Sequence, residues 1–253
     1  RGGDRTVQLL WRRMPHAVAY RIYRGAAEGQ RALAPLTSRP IVRTTFTDRG
    51  PGLVNGRPVS YAVAPVFRDG REGARVTVPV TPVTAPPGFM GSSINEGSRT
   101  GSAVYHPASR EIVLRGSGRD FWNDADGGYF LSRPVTGDFQ ITVQLLSRPT
   151  ETHAYAKAGL MIRESLEAEA RNAHLVATAL QGVQWQCRPT AAAATVNVTD
   201  QVIPHADLKL PMLVRLTRLG NRIFAEYSTD QGQRFQSAGE PVTFDPPLPA
   251  TLY

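Results

Sequence analysis

The chain has 253 residues, enough for two domains that each bury a core, and its 23 glycines and 20 prolines among short Val/Thr/Tyr/Phe runs fit an all-β protein with many turns. Its 29 basic and 21 acidic residues leave a net charge of +8, and no run of 18 apolar residues occurs, which excludes a membrane-spanning helix. The single cysteine, Cys187, excludes an internal disulfide.

The sequence begins at Arg1 without Met, which suggests a processed or trimmed start, one that would take any signal peptide or lipid anchor out of view. Thr6 to Trp11 (T-V-Q-L-L-W) and Ala17 to Tyr23 (A-V-A-Y-R-I-Y) read as strands, with Met14-Pro15-His16 as the turn between them. Thr44 to Thr47 is a short third run. Pro58 to Phe67 and Arg75 to Val80 are two more, joined by R-D-G-R-E-G, whose Asp69-Gly70 supports positive φ. This order, with Trp11 early and Tyr61 late, resembles a fibronectin type III domain over about residues 5 to 82. The resemblance implies a tyrosine corner at Tyr61, its hydroxyl returning to upstream backbone. The sequence departs from that pattern in one place: the first strand it calls for is short or absent before Thr6, so that either the natural protein extends further toward its N-terminus or this edge is left for something else to cover.

Charge is concentrated in this part of the chain. Residues 1 to 85 hold 14 Arg and 5 acidic residues, a net +9, whereas residues 86 to 253 hold 15 basic and 16 acidic residues. Arg12, Arg13, Arg21, Arg24, Arg68 and Arg71 are the candidates for a basic face. Such a face favours an acidic partner, whether a protein surface, anionic lipid headgroups at a membrane surface, an acidic polymer or nucleic acid. Nucleic acid is set aside, because the sequence has no helix-turn-helix, RNP or zinc-finger pattern and no Lys/Arg block.

From Pro79 to Gly101 the chain reads P-V-T-P-V-T-A-P-P-G-F-M-G-S-S-I-N-E-G-S-R-T-G, first proline-stiffened and then Gly/Ser-rich, as a connector would be. The next domain opens with A-V-Y-H and E-I-V-L-R. In F-W-N-D-A-D-G-G, Asp124 and Asp126 with Asn123 offer oxygens to a calcium ion. A calcium site needs six to eight oxygens and this loop lacks the distal bidentate Glu of an EF-hand, so an Asx-rich turn is the stronger reading and no cofactor is expected. Phe139 to Leu146 alternates as a half-buried strand.

Tyr155 to Leu166, Y-A-K-A-G-L-M-I-R-E-S-L, reads two ways. Its residue types favour a helix, but Gly159 weakens one, and Ala158, Leu160 and Ile162 alternate with Gly159, Met161 and Arg163 at the period of a strand. Strands follow at A-H-L-V-A-T-A-L, Gly182 to Arg188, Leu213 to Arg218, Arg222 to Ser228 and Arg234 to Ala238. Cys187, in V-Q-W-Q-C-R, reads as a core thiol. The blocks G-S-G-R-D-F-W-N-D-A-D-G-G-Y-F, K-A-G-L-M-I-R-E-S and L-V-R-L-T-R-L-G-N-R-I-F-A-E-Y-S-T-D-Q-G-Q-R-F resemble a bacterial family of concanavalin-A-like (laminin-G-like) β-sandwich domains, over about Gly116 to Tyr253. The resemblance implies a jelly-roll sandwich, an extracytoplasmic place, no general catalytic residues, and a further strand after Tyr253.

Little in the sequence points to catalysis. The five histidines show no i,i+4 or H-x-H pairing, no nucleophile elbow or phosphate loop occurs, and Glu164, Glu167 and Glu169 have the spacing of a solvated turn. The expected fold is therefore all-β, two β-sandwich domains joined by a Pro/Gly-rich linker: residues 1–82 fibronectin III-like, 83–100 linker, 101–253 concanavalin A-like. The expected function is a non-catalytic periplasmic or cell-envelope protein, an accessory subunit docking on a larger bacterial assembly. The alternatives are the non-catalytic tail of a larger secreted enzyme, or a carbohydrate-binding module for which exposed Trp122, Tyr155 or Trp185 would form a flat aromatic platform.

Overall fold

A computed structural model describes residues 1–26, 33–95, 101–150 and 153–253. Residues 96–100 of the expected connector, and residues 151–152, lie outside the described residues. The described chain is almost all β, its one helical turn being the 3-10 segment His205–Asp207. Contacts divide it into two units, Arg1–Gly118 with Tyr129–Arg133, and Arg119–Gly128 with Pro134–Tyr253.

In the first unit β1 (Gly2–Gly3), β2 (Thr6–Leu10), β3 (Ala19–Ala26), β4 (Ala34–Pro35), β5 (Thr45–Asp48), β6 (Val59–Val66), β7 (Val76–Val80) and β8 (Met90–Ile94) build two sheets, in the orders β8-β1-β2-β5 and β4-β3-β6-β7. Alternation turns Val7 and Leu9 of β2, Tyr20 and Ile22 of β3 and Tyr61 of β6 into one core with Leu53 and Val80. The helix-free strand reading of all five expected runs holds, with ends displaced by at most three residues. The stretch expected as connector contains β8, which pairs with β1 through Gly2 and Gly91. β9 (Ser102–His106) and β10 (Glu111–Arg115) form a hairpin, and β10 is exposed along its whole length.

Tyr61 makes its corner differently from expectation. Its hydroxyl donates to Asp48 Oδ2 at 2.7 Å, a side-chain acceptor rather than upstream backbone. The same carboxylate accepts from Arg24 Nη1 at 2.8 Å and from the Gly50 N–H at 2.8 Å. A charged acceptor is stronger than a carbonyl, and Asp48 at the end of β5 lies within reach. Burial works to raise the Asp48 pKa, but these donors outweigh it and hold the carboxyl below its ordinary value.

The second unit holds β11 (Asp120–Phe121) and the first residues of β12 (Asp126–Ser132), then β13 (Val135–Thr136), β14 (Phe139–Leu145), β15 (Lys157–Arg163), β16 (Asn172–Thr178), β17 (Val183–Arg188), β18 (Val196–Ile203), β19 (Met212–Leu219), β20 (Arg222–Ser228), β21 (Gln236–Ser237), β22 (Val242–Thr243) and β23 (Thr251–Leu252). Its two main sheets run β15-β16-β17-β18 and β14-β19-β20-β21, with β22 also paired to β20. Leu160, Ile162, Ala173, Leu175, Val183, Trp185 and Cys187 from the first sheet meet Met212, Val214, Leu216, Ile223 and Ala225 from the second in one apolar core. Residues 157–163 and 172–178 are thus strands and not one helix. Gly159 has a packing reason, since a Cβ there would run into the Leu175 carbonyl oxygen and Val176 Cα of β16. Thr251 and Leu252 pair with β13, and Tyr253 exchanges backbone hydrogen bonds of 2.9 and 3.0 Å with Arg163.

Candidate functional site

Because side chains alternate along a strand, the residues of β15 to β17 that do not enter the apolar core form a second, polar face: Lys157 and Arg163 on β15, Asn172, His174 and Thr178 on β16, Gln184, Gln186 and Arg188 on β17. Most of this face is buried, with Arg163, Asn172, His174, Thr178 and Arg188 all at 0% exposure. An uncompensated buried charge costs several kcal/mol, so each of these groups requires partners.

Asp126, also fully buried, supplies the central ones. Its Oδ2 accepts from Arg163 Nη1 at 2.8 Å and its Oδ1 from Arg188 Nη2 at 2.6 Å. Asp126 thus serves both guanidinium groups, and backbone carbonyls supply further acceptors to each. Arg188 donates to the carbonyls of Trp122, Asn123, Ala168, Ala170 and Ala193 at 3.0–3.2 Å, and Arg163 to those of Ser165 and Glu167 at 2.6 Å. Burial pulls Arg163 below its ordinary pKa and Asp126 pulls it back up; as a guanidinium it remains a cation. These contacts tie the 122–126 loop, the 165–170 loop and the 193–195 segment to the sheet.

A file of side-chain hydrogen bonds leads across the face from this centre. Asn172 Nδ2 donates to Asp126 Oδ2 at 3.0 Å, which turns Asn172 Oδ1 toward His174 Nδ1, 3.0 Å away. His174 Nε2 lies 2.9 Å from Gln186 Oε1, Gln186 Nε2 donates to Gln184 Oε1 and Asn197 Oδ1, and Gln184 Nε2 donates to Asp200 at the exposed end. Burial, with the positive charges of Lys157, Arg163 and Arg188, lowers the His174 pKa to about 3. The ring is therefore neutral at pH 7. Both ring nitrogens face amide oxygens, Asn172 Oδ1 at Nδ1 and Gln186 Oε1 at Nε2, and the single proton of the neutral ring serves one of these contacts and not both.

The residues expected to act from sequence are dispersed. Trp185 is a correction: it is fully buried on the apolar face, its Nε1 donating to the Glu240 carbonyl at 3.0 Å, because its place on β17 has the parity of Val183 and Cys187. Asp126 is another, since both its oxygens are taken by arginines and Asn172 and none is left for a cation; Asp124 is exposed. Trp122 is half-buried with Lys157 Nζ 5.4 Å from its ring centroid, and Lys157 is ion-paired with Asp120. Tyr155 is 46% exposed and stacked on His153. Glu164 binds Arg171 through both oxygens at 2.8 and 2.9 Å, which lowers its pKa, while Glu167 and Glu169 are exposed.

Of the basic candidates, Arg24 is a structural group bound to buried Asp48, and Arg21 Nε lies 3.0 Å from Glu72 Oε1. Arg71 pairs with Asp69 on the surface, and Arg12, Arg13 and Arg68 are exposed in the β2–β3 and β6–β7 loops. Arg163 and Arg188 were missed. The available signal was parity: both close a strand on the side opposite Leu160, Ile162, Trp185 and Cys187, so each is placed with the polar set.

Comparison of the chain with protein-family models and with curated proteins finds no match.

Proposed function

We propose that this protein is a non-catalytic interaction module of the bacterial cell envelope, an accessory subunit that docks on an acidic partner surface through protein contacts. The observation that carries the reading is the saturation of the polar face: the ionisable and amide groups that elsewhere do chemistry are joined to one another and to backbone carbonyls, as a scaffold requires. Exposed arginines of the first unit, among them Arg12, Arg13 and Arg68, support an acidic partner. The strand orders β1-β2-β5 and β4-β3-β6-β7 support a fibronectin III-like first domain, and the two facing sheets of the second unit support a concanavalin A-like one.

The test is retention of an envelope component on the immobilised chain, followed by elution with salt. Attachment through the basic face predicts elution between about 50 and 500 mM salt, where the screening length falls about threefold, and loss of retention when Arg12, Arg13, Arg68 and Arg71 are replaced by Glu. Retention that ignores both salt and these charges sinks the reading.

A second reading, carbohydrate binding, is favoured by Trp122 beside Lys157 and by exposed Tyr155. Quenching of tryptophan fluorescence by soluble glycans, abolished in Trp122→Ala, would select it.

A further inference from the structure

Among the described residues the outer edge of β5 has no strand paired to it in its sheet of the first unit. We propose that it receives an acidic, extended segment of a protein partner as an added antiparallel or parallel strand; the inference rests on the docking reading above and names its contact.

The register fixes which backbone groups are on offer. The Gln8 N–H donates to the Arg1 carbonyl at 2.9 Å, so Gln8 turns its backbone toward β1, and its neighbours Val7 and Leu9 turn theirs toward β5. Their partners Asp48 and Phe46 therefore point inward, as Thr44 does in accepting from the Trp11 N–H at 3.1 Å. Thr45 and Thr47 are left directing their N–H and C=O groups away from β2, at the end of the strand order. The opposite sheet differs, because its edge strand β7 carries Pro79, a residue that blunts pairing.

Beside this edge runs a groove of about 580 Å³ lined by Ile41, Val42, Arg43, Thr45, Phe46 and Thr47, in which Val42 is 65% exposed. Strand addition gains affinity from main-chain hydrogen bonds and selectivity from alternate side chains seated in such a groove. The charge selects the partner. Asp48 is the one carboxylate in residues 33–50, and Tyr61 and Arg24 already hold it. Arg39, Arg43 and Arg49 are exposed, with no ion-pair partner among the described residues. Open donors, an apolar groove and three unopposed cations together fit an extended segment in which carboxylates alternate with aliphatic side chains.

The probe is a fluorescent capped peptide alternating Asp or Glu with Val, measured by anisotropy against the full chain at 50 mM salt, with the Lys/Val counterpart as control. The acidic peptide is expected to bind and the basic one not. Thr47→Pro removes one outward N–H while leaving the β2 pairing intact, and should weaken binding about tenfold, the effect of roughly one lost hydrogen bond. Arg43→Glu with Arg49→Glu should weaken it at least as much, and amide exchange should slow at Thr45 and Thr47 when peptide is bound. Near-UV circular dichroism and the unfolding midpoint verify that each variant is folded. Absence of acidic-peptide binding, or binding indifferent to Thr47→Pro and to the Arg43/Arg49 reversal, overturns strand addition at β5. In either case retention of the envelope component through Arg12, Arg13, Arg68 and Arg71 leaves the docking reading standing, so the two failures are distinguishable.

Discussion

Arg188 donates from Nη2 to Asp126 Oδ1 at 2.6 Å, with neither side chain exposed to solvent. The pair closes a span of 62 residues and, through the five carbonyls that Arg188 also binds, fixes three loops to one strand end.

Removing the carboxylate strands two buried guanidinium groups. Asp126→Ala should therefore destabilise the second unit by about 3–5 kcal/mol, the usual effect of breaking a buried pair from one side. Asp126→Asn keeps the shape but not the charge and should fall short of that. Urea unfolding with an unchanged slope checks both, and a loss under about 1 kcal/mol for the alanine variant would contradict the assigned role.

His174 gives the stability a pH dependence of definite sign. Its folded pKa, about 3, lies below the ordinary 6.5, so between those values the unfolded chain binds a proton that the folded chain does not. Stability is then fully present above about pH 6.5 and falls by up to about 1.4 kcal/mol per pH unit on acidification. The lowered carboxylates Asp48 and Glu164 continue the loss below their ordinary values. His174→Gln should flatten the slope between about pH 6 and 4 by one proton; an unaltered slope means that the ring is not the neutral group described.

Tyr61 and Asp48 form the corresponding point of the first unit. Tyr61→Phe leaves a buried carboxylate with one donor fewer and should cost about 1.5–3 kcal/mol, the range for hydrogen bonds to charged groups. Burial and Asp48 together raise the Tyr61 pKa, so the tyrosinate absorbance of the folded chain should appear only at a higher pH than that of the unfolded chain. A coincident titration would show that the hydroxyl is not held.

Cys187 is buried, and burial raises its thiol to about pH 11. A thiol reagent at pH 8 should label it only as fast as the second unit opens, with labelling accelerating in parallel with unfolding when urea is added. Rapid labelling of the native chain would place the thiol at the surface instead.

Much of the fold is legible in the sequence because strand formation is a local property. V-Q-W-Q-C-R and K-A-G-L-M-I-R alternate at a period of two, and the same alternation correctly buries Leu160, Ile162 and Cys187. Trp185 shares the parity of Cys187 and is buried with it, against the exposed platform considered for it; what that shared face meets is not written in the alternation. That is decided when β19 and β20 bring Met212, Leu216 and Ile223 against Trp185.

The polar face was harder to foresee. Asp126 is 37 residues from Arg163 and 46 from Asn172, and its setting in F-W-N-D-A-D-G-G is that of any Asx-rich turn. Composition established an excess of arginine, but only tertiary structure sorts Arg163, Arg188 and Arg24, bound to buried carboxylates, from Arg43 and Arg49, which are exposed and have no ion-pair partner among the described residues. The reason is physical. Periodicity is written within a few residues of chain, whereas the partner of a charge depends on which distant segments the sheets bring together, and burial then determines whether that charge organises the interior or remains available at the surface.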